Sequence, residues 1–531
     1  MAKSPLFKKI VSLLRQASFK HATTQQLELD HSRRRLLASA WTTSMALWPT
    51  TQLLSSCAHL SDMAKTARSS EDPVVILGAG IAGLTAAYYL TQASVPCVVY
   101  EASSRIGGRM FTLKGFNRED MVCELGGELV DSNHEDLLSL CTHLDIAVDD
   151  FAPGDVGLVD SLYYFRKKYY TDKELLPLFK PFAARLKRDR QMLKDPQVAR
   201  KMDRISLDAY LDRFTDVETW VVDLIRMAYV GEMGLDAAEQ SCLGLIYMIE
   251  TDVAKGFHIY GDSDESKKIR GGNISLVQKL ENTLRTHGVE IHLQQPVLKL
   301  QELSSGLKIT FGKDEATHEV LAKRTICTIP FSILRDIEGV SQLSLSPLKK
   351  KYIREVSYGT NSKLMIGYQK RIWRQGIQKG SRLIPASNGM VYSDLDVQNI
   401  WETSRIQIGS SGILTSFSGG YKGAQLMLDS LNSNIDLVNQ IFPMTKNLHD
   451  GNHAMMNWSK MPYVRGSYSS ASVGQMTEFA DLQWTPERSD SLIFAGEHVA
   501  DRFQGFMNGA CRSGKKAAEW VIQNTSVKKS A

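Results

Sequence analysis

Residues 73–90 read PVVILGAGIAGLTAAYYL, and their reading decides the fold. An apolar run, Val74 to Leu77, leads into Gly78-x-Gly80-x-x-Gly83 and then into helix formers at helical spacing. A second apolar run, VPCVVYEA, follows and ends at Glu101. Strand, glycine turn, helix and strand make a βαβ unit, the opening of a parallel sheet. Gly78 permits the tight turn, Gly80 lets the backbone approach a diphosphate at the helix N-terminus, and Gly83 allows close helix–sheet packing. An acid about 20 residues on can accept hydrogen bonds from ribose hydroxyls, so Glu101 argues against a 2′-phosphate and hence against NADP. NAD and FAD remain open at this point.

The next residues, EASSRIGGRMFT (101–112), add Arg105, Gly107, Gly108 and Arg109. Paired glycines allow a second close backbone approach, and arginines can answer diphosphate charge. This Arg-x-Gly-Gly-Arg run, with ELGGELV (124–130) after it, resembles the flavin amine oxidase superfamily of monoamine, polyamine and L-amino-acid oxidases. The resemblance covers most of residues 73–523. It implies FAD, held by Gly78, Gly80, Ile81, Ala82, Gly83, Glu101, Ala102, Arg105, Gly108, Arg109, Gly126, Gly127 and Glu128. Near the other end, LIFAGEHVADRFQGFMNGACRSGKKAA (492–518) looks like the C-terminal flavin motif of that family. There Gly496 and Glu497 would meet the ribityl and diphosphate region, and Gly505, Phe506 and Met507 would pass under the ring system. The following helix N-terminus would favour a flavin anion. EIHLQQPVLKLQ (290–301) resembles the strand that touches adenine, through Val297, and CTIP (327–330) also fits.

No Ser-His-Asp set, metal-ligand cluster or carboxylate pair stands out, so the chemistry falls to the cofactor, with the protein orienting and tuning it. In YGTNSKLMIGY (358–368), Lys363 shares a strand face with Met365 and Gly367. It could be solvated at a sheet edge. The resemblance instead makes it the lysine that assists oxygen at the flavin, with Trp373 supporting the register. WSKMPYVRGSYSS (458–470) supplies Trp458 to the cofactor and Tyr468 as one aromatic wall for the substrate nitrogen, with Phe506 opposite. Both aromatics could equally be ordinary core. Ser467 stands where animal monoamine oxidases carry the cysteine that bonds the flavin, so FAD is expected to be noncovalent. The run LGGELVDSNHEDL (125–137) lacks the arginine with which many L-amino-acid oxidases clamp a carboxylate. Arg465 could supply such a contact but reads more readily as a surface or diphosphate arginine, and Glu128 and Asp131 could recognise a second ammonium or simply make backbone hydrogen bonds.

The fold expected is α/β, a Rossmann-like FAD-binding domain with an interleaved α+β substrate domain carrying a helical insertion. The FAD domain would comprise 73–130, 256–335 and 461–523. A mainly helical insertion would span 131–255, and substrate-domain strands 336–460. Residues 58–72 read as a linker and 524–531 as a tail.

Composition is that of an ordinary globular chain: 531 residues, 43% hydrophobic, 23% charged. A net charge of +5 gives no argument for nucleic acid. Residues 32–57, SRRRLLASAWTTSMALWPTTQLLSSC, have a basic cluster, a moderately apolar run and small residues. Arg33 and Arg34 resemble a twin-arginine export signal spanning 1–57, which implies the export machinery as a partner and a periplasmic or cell-envelope location. Leu54-Ser55-Ser56-Cys57 resembles a lipobox, whose cysteine would carry a lipid anchor. Cys97, Cys123, Cys141, Cys242, Cys327 and Cys511 form no CxxC or Cys/His ligand pattern, so neither a disulfide framework nor a metal site is expected.

The expected reaction is oxidation of a primary or secondary amine to an imine by hydride transfer to flavin N5. Hydrolysis would give a carbonyl compound, and oxygen, or another electron acceptor, would take the electrons, oxygen giving hydrogen peroxide. An L-amino-acid oxidase on the same fold is the first alternative. A carotenoid-desaturase-like or protoporphyrinogen-oxidase-like flavoprotein is another, and a flavin-binding assembly protein without turnover is the alternative of a different class.

Overall fold

The computed structural model describes residues 72–526, apart from 314–315, 481, 483–485 and 488–490. The export signal and lipobox therefore lie outside the described residues. Strand β1 (Val74–Leu77) is buried at every position, as a strand covered on both faces of a parallel sheet must be. Helix α1 (Ile81–Gln92) follows after a three-residue turn, and β2 (Cys97–Tyr100) pairs parallel to β1. The complete sheet has five parallel strands in the order Leu492–Phe494, Thr325–Cys327, β1, β2, Glu290–His292. Residues distant in sequence thus flank the opening unit on both sides.

α1 is apolar almost all round, which is the mark of a helix buried in the core. It packs along the C-terminal helix Met507–Ser526. The close approach is made by small residues: a side chain at Gly514 would overlap the carbonyl of Ala82.

The second large sheet has seven strands, in the order His449–Asn457, β3 (Ser362–Tyr368), Gly412–Ser418, Asn399–Glu402, Val391–Ser393, Leu162–Phe165, Lys168–Tyr170. β3 lies between two antiparallel neighbours and is buried along its whole length. Against this sheet lies helix α2 (Thr219–Met233), which ends at Gly234 in the left-handed region at φ +70°.

Two local expectations differ from what is found. Residues 131–255 are helical for much of their length but also contribute the hairpin Leu162–Phe165/Lys168–Tyr170 to the seven-stranded sheet. Its turn is Arg166-Lys167, both at positive φ, the two-residue geometry that matches strand twist. Charged residues there resemble a solvated helix face, and the turn lacks the usual Asn-Gly signal. The run 290–301 is two strands: Glu290–His292 in the parallel sheet and Val297–Leu303 in a three-stranded antiparallel sheet. Gln294 at φ +58° and Pro296, which has no N–H to donate, break the ladder between them.

Candidate active site

One cavity of about 910 Å³ runs from the β1–α1 turn to the seven-stranded sheet. At its first end, Gly78 turns at φ +103°, and a side chain there would overlap the Thr328 hydroxyl. Gly83 does not reach the cavity; it faces the carbonyl of Gly78, where a Cβ would collide. Its part is the helix–strand packing expected for the third glycine, so it supports the turn without lining the cavity. α1 starts at Ile81 behind Gly80 with no side-chain cap and no acid in its first turn. Ile81 and Ala82 line the cavity, so the helix N-terminus offers uncapped backbone and positive dipole to an anion. Opposite, Gly108 at φ +57° comes so close that its Cβ would sit 3.2 Å from Cα of Gly80. The Glu101 carboxylate accepts from the N–H of Ala79 and from the N–H and hydroxyl of Ser103, each at 2.8 Å. This is a cradle only glycine backbone can form, beside a fixed carboxylate. It fits the diphosphate and ribose of FAD.

The arginines serve the cradle more than its contents. Arg105 donates to the carbonyls of Ile106 and Gly108 and lies 3.9 Å over the Phe111 ring. Arg109 donates to the carbonyl of Ser467 and, at 2.8 Å, to Glu497. Glu497 also accepts from the N–H groups of Ser469 and Gly505 and from the Ser469 hydroxyl. Burial pushes its carboxyl up, but Arg109, His498 and Ser469 outweigh that and hold it below the usual range. Glu497 is thus a buried anion that joins three distant segments at the cavity wall.

At the other end, Lys363 is 6% exposed. It sits on a central strand, which excludes the solvated-edge alternative. Its ammonium donates to the carbonyls of Glu124 (3.2 Å) and Gly126 (2.8 Å) and pairs with Glu128 at 2.8 Å. The second oxygen of Glu128 accepts from Thr403. Lys363 also lies 5.1 Å over the Trp401 ring. Trp458 donates its indole N–H to the carbonyl of Leu125, which fixes the glycine pair that follows. A Cβ at Gly127 would press on the sulfur of Met507 at 2.9 Å. The hydroxyl of Tyr468 donates to the carbonyl of Glu232 at 2.6 Å, and its ring passes beside Gly505. Ser467 donates to Asn361. Phe506 lines the same cavity, edge-on to His134.

Every site residue predicted from sequence except Gly83 lines this one cavity, Ala102, Val297, Gly496 and Met507 among them. The packing also places the other residues named from sequence. Trp373 is buried core, donating to Glu402. Asp131 accepts from the N–H of Glu265 and the hydroxyl of Ser263, and Glu128 is taken by Lys363, so neither is free to hold a second ammonium. Arg465 pairs with exposed Asp336. Sequence reasoning missed Trp401, Tyr260, Tyr392, Asn399 and the acids Glu232 and Glu265, all of which line the same cavity. They come from a helix end, loops and strands with no motif around them. Among the described residues no cluster could hold a metal ion, the six cysteines are free and buried, and no helix is long and apolar enough to cross a membrane.

A family model described as flavin containing amine oxidoreductase matches residues 81–522. The chain is 23% identical over 484 residues to amine oxidase [flavin-containing] B of Sus scrofa, covering 86% of each chain. It is 24% identical over 495 residues to nicotine dehydrogenase of Pseudomonas putida, covering 88% of this chain and 92% of that one. The structure of cyclohexylamine oxidase from Brevibacterium oxydans superposes with a TM-score of 0.70 at 20% identity, over 86% of this chain and 99% of the other. The glycine cradle at one end, the buried lysine at the other and a match over most of the chain agree: this protein belongs to the flavin-containing amine oxidoreductase family.

Proposed function

We propose that this chain is an FAD-dependent amine oxidase that converts a primary or secondary amine to an imine. Water then gives a carbonyl compound and ammonia or the smaller amine, and oxygen, reduced to hydrogen peroxide, accepts the electrons. When bound, FAD supplies the two-electron chemistry. The chain's own residues bind and orient. Tyr468, tied by its hydroxyl to α2, and Phe506 present aromatic surface to the substrate nitrogen, and apolar walls favour the neutral amine. Lys363, held by three acceptors, fixes a cation where oxygen would receive electrons.

One observation carries the choice of amine over amino acid. The arginines lining the cavity are Arg105, Arg109 and Arg465. The first is spent on carbonyls, the second on Glu497 and the third on Asp336. None of these described arginines is left for the bidentate carboxylate clamp an amino acid would need. Peroxide release on a panel of amines and the matching amino acids tests this. Turnover of amino acids alone would overturn the amine reading. Bleaching by no substrate under anaerobic conditions would favour the assembly-protein alternative. A terminal acceptor other than oxygen, such as a quinone, would show as bleaching without peroxide.

Ser467 supports noncovalent FAD, because a serine cannot form the thioether; acid precipitation should release the flavin into the supernatant, and flavin left in the pellet would refute it. Export through Arg33-Arg34, with lipid attachment at Cys57, is proposed from sequence alone. Replacing both arginines by lysine should retain the enzyme in the cytoplasm, and unchanged export would rule out that route.

A further inference from the structure

The substrate end of the cavity holds two carboxyls that amine oxidation as such does not need. Glu232 is the penultimate residue of α2, and its carbonyl accepts the Tyr468 hydroxyl, so it sits directly behind the aromatic wall. Glu265 lies in a loop at φ +44°, its N–H bound to Asp131. Both line the cavity, and no described residue gives either carboxylate a hydrogen bond or an ion pair. The described cations nearby make their direct contacts elsewhere. Arg405 pairs with Asp155 and stacks 3.8 Å over Phe151, Lys268 donates to the carbonyl of Arg405, and Lys363 belongs to Glu128. Beside the acids, Asn399 is 6% exposed and lines the cavity with its side-chain oxygen unpartnered. Tyr260 and Tyr392 complete the wall, ring centroids 6.5 Å apart.

Such an arrangement is costly without a ligand. Burial pushes the Glu232 carboxyl up to about 7. Burial, then the charge of Glu232 and that of Asp131, push Glu265 to about 8. Two acids facing one enclosed space resist ionising together, and a buried carboxylate needs a paired counter-charge that no described residue supplies by direct contact. The groups left without a described partner are acceptors, set among aromatic faces. That chemistry recognises an ammonium.

Resting on the amine-oxidase reading, we infer that Glu232, Glu265 and Asn399 form a subsite for a second protonated nitrogen, so that the preferred substrates are diamines or polyamines. One amine is oxidised between the aromatic walls while the other is held by the acid pair.

The test uses the FAD-loaded enzyme and peroxide release with n-pentylamine, 1,5-diaminopentane, 1,3-diaminopropane, spermidine and L-lysine. A diamine or the polyamine should exceed n-pentylamine in kcat/KM by roughly tenfold or more, the scale of a desolvated charge pair, mainly through a lower KM. Glu232→Gln and Glu265→Gln should each bring that ratio toward one. Flavin content and thermal midpoint verify that the variants fold. A monoamine preferred by the wild-type enzyme, or a ratio that neither variant changes, would overturn the inference and leave the oxidase reading intact. Turnover of L-lysine without 1,5-diaminopentane would keep the acid pair and overturn the plain-amine reading. If nothing is turned over, calorimetric titration with 1,5-diaminopentane decides: binding weakened in the variants supports the subsite, and no binding sinks it.

Discussion

Lys363 shows how a single residue can be located by sequence and still be understood only in the fold. Its strand and its resemblance mark it, but its partners, the carbonyls of Glu124 and Gly126 and the carboxylate of Glu128, lie more than two hundred positions earlier in the chain. Lys363→Met removes the ammonium and leaves Glu128 buried without its cation. The expected outcome is a protein that still holds FAD but whose reduced flavin reacts with oxygen at least about tenfold more slowly, the effect of losing about 1.4 kcal/mol of charge stabilisation. Stopped-flow reoxidation measures it, and an unchanged rate would remove Lys363 from the oxygen step. Glu232 and Glu265 make the opposite case. Their sequence surroundings carry no motif, and only the end of α2 and a loop converging on one cavity give them a role.

At the scale of elements, the opening βαβ unit was readable because each of its signals is local: four apolar residues, three glycines and a run of helix formers. The prediction belonging here concerns its turn. Gly83→Ala drives a methyl into the carbonyl of Gly78 and toward Ile76. Overpacking of this kind costs about 1–3 kcal/mol, and the displaced turn should purify with little flavin. The absorbance ratio at 450 and 280 nm, set beside the thermal midpoint, checks both. A fully loaded, equally stable variant would show that the turn tolerates the methyl. The hairpin around Arg166-Lys167 was not readable in the same way. Its first strand is held by pairing with Val391–Ser393, far along the chain, and no local signal could announce that partner.

For the whole molecule, the balance of buried charge sets the response to pH. His498 is 1% exposed, with neither ring nitrogen bonded, and packs on Phe331. Burial chiefly lowers it from 6.5 to about 4. The unfolded chain therefore takes up a proton first as pH falls, and stability is lost between pH 6.5 and about 4, by about 3 kcal/mol. Glu497, held below the usual carboxylate range, adds a loss in the same direction at lower pH. Glu232 and Glu265 act oppositely: as pH rises the unfolded chain releases their protons first, so stability is lost from about 4.5 up to about 7 and about 8. His498→Gln isolates one contribution. Its thermal midpoint, lower than wild type at pH 7, should close on the wild-type value as pH falls to 4. A constant gap across that range would show that His498 does not titrate as argued.

By itself the sequence determined the parallel α/β opening, the FAD-type glycine signature at both ends of the chain and the family. These rest on short-range requirements: where a backbone must turn, where a Cβ cannot fit, and which apolar periods can be buried. Tertiary structure alone decided what the charged residues do. It spent Arg105, Arg109, Glu128 and Asp131 on the scaffold, and it brought Glu232 and Glu265 into the cavity with no hydrogen-bond or ion-pair partner among the described residues. The reason is physical. A buried charge is defined by the partner that compensates it, and in this protein those partners come from segments far apart in the chain.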